Sequence, residues 1–214
     1  PTSSALDEIL GQKFPVLDRG FVRVVDYMGN DDAIVQAARV SYGGGTKTPQ
    51  EDANLIRYLM RHRHTSPFEM CEIKLHVKLP IFVARQWIRH RTASVNEVSG
   101  RYSLLPEEYY VPEEENILPQ SNTNKQGREE GAKIMTSNSE VRELMDRGST
   151  EAFELYNSFL DIGVARELSR IVLPVSTYTE WYWKIDLHNL FHFLKLRMDP
   201  HAQLEIRSYA TLIG

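Results

Sequence analysis

The chain has 214 residues, with 25 basic side chains against 29 acidic ones for a net charge of −4, 42% hydrophobic residues and a single cysteine, Cys71. A chain of this length buries enough surface for a core of its own, and one cysteine excludes an internal disulfide, CxxC redox chemistry, cysteine-only zinc sites and iron–sulfur clusters. The acidic balance excludes a nucleic-acid binder driven by overall charge, no apolar run reaches the roughly 18 residues of a membrane span, and PTSSALDEILGQ carries acids where a signal peptide is basic, so a cytoplasmic protein without membrane attachment is expected.

Phe21 to Tyr27, rich in valine and aromatic residues, predicts a strand. Gly29-Asn30-Asp31 then offers a turn and a cap for a short helix through Ile34, Ala37, Ala38 and Val40. Thr48-Pro49-Gln50-Glu51 has the capping-box spacing with proline at the first helical position, and Leu55, Ile56, Leu59 and Met60 form the stripe of a helix ending near His62 to His64. From Cys71 to Leu79 the alternation is strict: Cys71, Ile73, Leu75, Val77 and Leu79 face one way and Glu72, Lys74, His76 and Lys78 the other, a half-buried strand. Pro80 closes it, and IFVARQWIRHR reads as a helix with Arg85 and Arg89 on one face, followed by a loop around Val95 to Gly100. Residues 112–150 hold few large apolar side chains, which predicts an exposed excursion with at most a short helix near Val141 to Met145.

Apolar spacing resumes at Phe153, Leu155, Phe159 and Leu160, passes Gly163 and continues through VARELSRIVLP. Val175, Thr177, Thr179, Trp181 and Trp183 then alternate with Ser176, Tyr178, Glu180 and Tyr182 as a second strand. Asp186 caps a helix over LHNLFHFLKLR, and Asp199-Pro200 caps a last one. The expectation is one α+β domain spanning residues 1–214, with a central antiparallel or mixed sheet, flanking helices and an exposed insertion at about 112–150.

Several common sites are absent or incomplete. Gly43-Gly44-Gly45-Thr46-Lys47-Thr48 lacks the P-loop spacing and reads as a turn. His188 and His192 have the i,i+4 spacing of two metal ligands, but Asn189 follows His188 where HExxH needs glutamate, so no metal is expected. Cys71 lies on the apolar face of its strand and reads as a buried, inert thiol. The informative stretch is RQWIRHRTASVNEVSGRY, residues 85–102, which concentrates five cations or imidazoles (Arg85, Arg89, His90, Arg91, Arg101) beside Ser94, Asn96, Glu97 and Ser99. The planar fork of arginine donates two parallel hydrogen bonds to a phosphate, and Gly100 admits close backbone approach, so this is an anion or nucleotide site, or else a basic surface patch or salt-bridge network. A nucleotide- or RNA-binding protein using the RHR motif, with Trp87 and Tyr102 as stacking platforms, is the alternative reading.

Residues 89–102 also match RHRxxSxNExSxRY at all nine fixed positions: Arg89, His90, Arg91, Ser94, Asn96, Glu97, Ser99, Arg101 and Tyr102. In this the chain resembles the flavin-dependent thymidylate synthases, and the likeness extends over AARVSY at 37–42, HTSPFE at 64–69, PIFVARQW, RELSRIVLP and FLKLRMDPHAQ at 193–203. The family converts dUMP to dTMP, with methylenetetrahydrofolate as one-carbon donor and NADPH delivering hydride through FAD, at sites between the subunits of a homotetramer.

Carried onto matching positions, the resemblance implies a dUMP-binding set of Gln86, Arg89, Glu97, Ser99, Gly100, Arg101, Arg170 and Arg197. Arg197 would polarise the pyrimidine, stabilising the negative charge that develops when C6 accepts hydride. Ser99 is the other catalytic candidate, as nucleophile or, more plainly, as a phosphate or backbone contact, since no base is visibly paired with it. For FAD the implied set is Ser41, Ser66, Glu69, Arg89, His90, Arg91, Thr92, Asn96 and Glu97, with Asp186, His188, His192 and His201 from the C-terminal part. His64 and Tyr102 are implied at the folate or nicotinamide. A hydride route also removes the need for a thiolate, which agrees with the placement of Cys71 on an apolar strand face.

Overall fold

The structure is a computed structural model and describes residues 2–40 and 49–214. Its centre is a five-stranded antiparallel sheet of β1 (Lys13–Val16), β2 (Gly20–Met28), β3 (Glu72–Pro80), β4 (Ser94–Glu97) and β5 (Tyr178–Asp186), in the order β1-β2-β3-β5-β4. Among the described residues, eight α-helices surround it: α1 (Ser4–Ile9), α2 (Asp31–Arg39), α3 (Pro49–Arg61), α4 (Ile81–Trp87), α5 (Asn138–Asp161), α6 (Arg166–Ser169), α7 (Leu187–Arg197) and α8 (Leu204–Ile213). The fold is therefore α+β, as the interspersed strand and helix patterns predict.

The strict alternation of β3 sets the architecture. Leu75 pairs with Trp183, Val77 with Trp181 and Ile73 with Ile185 across β3 and β5, so one face of the sheet centre is apolar. Trp87 of α4, Leu190 and Phe193 of α7, and Ile206, Tyr209 and Ala210 of α8 complete that core. Trp87 is wholly buried, with Phe193 at 4.8 Å between ring centroids and Trp183 edge-on at 5.2 Å. Each such side chain contributes about 1.5–3 kcal/mol by leaving water. Burial also removes Trp87 as a stacking platform, correcting that part of the RNA-binding alternative. The opposite face carries the polar residues of the alternation: His76 bridges Arg23 and Glu180 at 2.8 Å each, and Lys78 meets Glu108 at 2.7 Å.

The caps of α2 and α7 form as their sequences predict, with Asn30 Oδ1 accepting from the Ala33 amide and Asp186 Oδ1 from the Asn189 amide. Gly29 adopts a φ of 92°, and a Cβ there would lie 2.5 Å from Cys71 Sγ, so the turn into α2 needs glycine twice over. Thr48 and the glycine run before it lie outside the described residues, but α3 does begin at Pro49 and end at Arg61.

Four expectations are corrected. Helix α4 stops at Trp87, so Arg85 and Arg89 do not share a helical face; beyond it the chain turns tightly, with the His90 amide bonded to the Trp87 carbonyl. Residues 94–97 form strand β4 rather than loop, because β5 offers an open edge for them to pair with. In place of a short helix near 141–145 stands the 24-residue α5, capped by Ser137 Oγ and seated through Phe153 and Tyr156 on the buried Tyr109 and Val111. The last helix begins at Leu204: Asp199 instead binds the amide and ring of His201 in the preceding turn.

Candidate active site

Two groups of the sequence-predicted residues assemble on the described chain, at different places. The first lies where α4 ends beside α7. Where α4 ends, the Gln86 carbonyl accepts the Arg89 amide of the following turn at 3.4 Å, and Arg197, at the last residue of α7, also donates to it through Nη2 at 3.3 Å. The same guanidinium donates through Nε to His90 Nε2 at 2.9 Å. His90 therefore accepts at Nε2 and carries its proton on Nδ1. Burial, then the charge of Arg197, then His192 push its pKa down to about 4, so it is neutral at physiological pH. Burial lowers the Arg197 pKa as well, though a guanidinium remains charged. Phe193 packs edge-on against His90 at 5.0 Å, and His192 lies 6.1 Å from it.

Gln86 reaches further inward. Its Nε2 donates to Gln203 Oε1, and Gln203 Nε2 donates to Glu205 Oε2 at 2.8 Å.

The second group lies beyond β4. Ser99 Oγ accepts the Arg101 amide at 3.3 Å, and Gly100 is buried under Arg170, whose Cδ would stand 3.2 Å from a Cβ at that position. Arg101 pairs with Glu167 at 3.5 Å, both ends being 57% exposed, and Arg166 donates to the Tyr102 carbonyl. Tyr102 itself is 76% exposed. Glu97, on the edge strand, accepts from Thr179 at 2.7 Å. Ser99 has no histidine or carboxylate hydrogen-bonded to it among the described residues, which leaves the nucleophile reading without a base.

Next to the first group a cleft of about 260 Å³ opens between α3 and α7, lined by Leu59, Arg63, His64, Phe68, His188 and His192 among others. This brings His64, His188 and His192 together, with Lys195 on the same wall. His201 is not brought there; it stands exposed beside residues 116–130 with its ring on Asp199. Asp186 commits both carboxylate oxygens to Asn189. Ser66, Glu69, Arg91, Thr92 and Asn96 are exposed, and Ser41 lies outside the described residues. Cys71 is 6% exposed among Ile34, Leu59 and Phe68, and burial followed by the charge of Asp31 raises its pKa, the opposite of what a nucleophilic thiol requires.

Residues 23–214 match the family model described as thymidylate synthase complementing protein. The chain belongs to the flavin-dependent thymidylate synthase family. The flavin-dependent thymidylate synthase of Gluconobacter oxydans is 61% identical over 213 residues, covering 98% of this chain and 70% of the relative. That of Treponema denticola is 60% identical over 95% of this chain and 77% of its own length. Among solved structures, the UMP/dUMP methylase PolB of Streptomyces cacaoi bound with 5-Br dUMP superposes with a TM-score of 0.80 at 35% identity, over 94% of this chain and 90% of that one.

Membership gives the basic motif its context and disfavours the RNA-binding alternative. Sequence reasoning missed Gln203, Glu205, Arg128 and Thr179 as supports of the site. Gln203 closes the matched FLKLRMDPHAQ segment, and Glu205 was visible only as a lone acid among the apolar positions Leu204, Ile206, Tyr209 and Ala210. Nothing in the sequence marked Arg128.

Proposed function

We propose that this chain is a thymidylate synthase that methylates dUMP to dTMP with FAD as its flavin, methylenetetrahydrofolate as one-carbon donor and NADPH as reductant. The observation that carries the reading is the Arg197–His90–Gln86 cluster: a half-buried cation held by a neutral imidazole and a helix-end carbonyl, in a family whose members are flavin-dependent thymidylate synthases.

Arg197 stabilises the negative charge that builds on the pyrimidine carbonyl edge. It does so with little reorganisation, because His90 and the Gln86 carbonyl already hold it. His90, uncharged, adds no competing cation. The nucleotide phosphate is bound by Arg101 and Arg170, with Ser99 and the Gly100 backbone supplying short contacts. The cleft between α3 and α7 suits one part of a flavin dinucleotide in its donor chemistry: imidazoles, Arg63 and Lys195 for the phosphates, and Leu59, Phe68 and Phe191 for an aromatic ring. His188 and His192 would hold the flavin there, and His64, on the same cleft, would stand at the folate or nicotinamide. When bound, reduced flavin supplies hydride.

Among the described residues, no hydrogen bond, ion pair or ring contact joins the Gln86–Arg197 group to the Ser99–Arg170 group. This supports a homotetramer in which each site takes the first group from one subunit and the second from its neighbour. Among the described residues no helix is long and apolar enough to cross a membrane, and with the lone buried thiol this supports a cytoplasmic setting.

The test is direct. Purified protein carries a flavin absorption band that NADPH bleaches anaerobically with dUMP present, and methylenetetrahydrofolate then yields dTMP. A protein that stays colourless after FAD is added, and makes no dTMP, refutes the reading.

A further inference from the structure

Glu205, in the first turn of α8, is 1% exposed. Its carboxylate receives Arg128 Nη2 at 2.5 Å and the Tyr110 hydroxyl at 3.3 Å on Oε1, and Gln203 Nε2 at 2.8 Å on Oε2. A buried carboxylate is costly unless its charge and lone pairs are matched, and here Arg128 neutralises it from the 112–137 segment. An ionised carboxylate can only accept hydrogen bonds, so Gln203 has to turn its NH₂ toward Glu205. Its Oε1 then faces Gln86, and Gln86 has to answer with its own Nε2. A glutamine amide by itself is nearly symmetric in shape and free to flip. The carboxylate at the end of this chain removes the freedom twice in succession and leaves Gln86 Oε1 as the end directed away from the network.

We propose that Glu205, neutralised by Arg128, is a positioning residue that acts through Gln203 to orient the Gln86 amide, so that Gln86 offers the nucleotide an acceptor. The group it recognises is an N–H or O–H donor of the bound pyrimidine nucleotide. This rests on the reading of Gln86 as part of the dUMP site. The polar excursion thereby reaches the site through the ion pair of Arg128 with Glu205.

The experiment is a double-mutant cycle on flavin-loaded enzyme, with the dUMP Kd read from the perturbation of the flavin spectrum. Gln86→Met and Gln203→Met each weaken dUMP roughly five- to tenfold, the equivalent of about one hydrogen bond, and the double variant is no weaker than Gln86→Met alone. Glu205→Gln, which can present either end of an amide to Gln203, gives an intermediate loss. If Gln86→Met leaves dUMP affinity unchanged, the placement of Gln86 in the site fails and the proposal with it. If Gln86→Met weakens dUMP but Gln203→Met does not, or if the two losses add, the placement stands and the positioning role is overturned. Gln203→Met keeps Glu205 paired with Arg128 and Tyr110, so the test survives a Glu205 variant that fails to fold.

Discussion

The two halves of the candidate site differ in how they are held. Around Gln86, His90 and Arg197, a helix end, a ring nitrogen and the Gln203–Glu205 network hold the Gln86 Nε2, the His90 Nε2 and the Arg197 Nε and Nη2 beside the aromatic core. Around Ser99, Gly100, Arg101 and Arg170 the partners are an exposed ion pair with Glu167 and the open surface of Tyr102. Exposed pairs of this kind are worth about 0–1 kcal/mol. The half assigned to the pyrimidine is thus held within one chain, as electrostatic catalysis requires, whereas the half assigned to the phosphate is held by fewer and more exposed side-chain contacts.

The largest effect that would break this contrast is Arg197→Ala. It removes charge stabilisation from the pyrimidine half, and dTMP formation falls by at least about 10²–10³-fold with FAD retained. Turnover near wild type in that variant refutes the role of Arg197. Arg101→Ala acts on the open half: the dUMP KM rises roughly ten- to hundredfold, with a smaller change in kcat at saturation. Mixing the two variants after dissociation and reassembly sharpens the contrast. With sites shared between subunits, random reassembly restores about a quarter of the sites, and no recovery at all argues that each chain builds its own.

A smaller effect concerns His90. Its folded pKa, pushed down to about 4, lies below the ordinary 6.5, so between those values the unfolded chain binds a proton that the folded one refuses. That part of the stability is complete above about pH 6.5 and is lost as pH falls toward 4. Melting temperatures of wild type and His90→Gln, compared from pH 7 to 4, show a shallower decline in the variant; parallel curves contradict the assignment. Cys71→Ala is the smallest change. It trims a buried side chain at a cost of about 1 kcal/mol and leaves kcat within about twofold, and an inactive but folded, flavin-bound variant would restore the thiol to the mechanism.

Much of the framework could be read directly from residue spacing, because a two-residue or 3.6-residue apolar period is imposed by burial on one face. Strand β3, strand β5 and the capped helices α2 and α7 follow that rule. Strand β4 does not: Ser94, Val95, Asn96 and Glu97 are all exposed, and pairing with the edge of β5, not burial, makes them a strand. Helix α5 was hidden for a related reason. Most of its 24 residues are polar or solvent-facing, and Gly148 inside it costs about 1 kcal/mol relative to alanine. Its seat on Tyr109 and Val111 is a tertiary contact.

The sequence by itself determined the apolar face of the sheet, the family through nine matched positions in residues 89–102, and the inert placement of Cys71. These are local properties of alternation and spacing. Only the tertiary structure decided that α4 breaks at Trp87 and that Arg197 joins the Arg89 amide on the Gln86 carbonyl, that His90 is a neutral acceptor for the same guanidinium, and that Glu205 and Arg128, 77 residues apart, stand behind Gln86. Each depends on groups distant in the chain sharing a desolvated space, where the orientation of one hydrogen bond dictates the next.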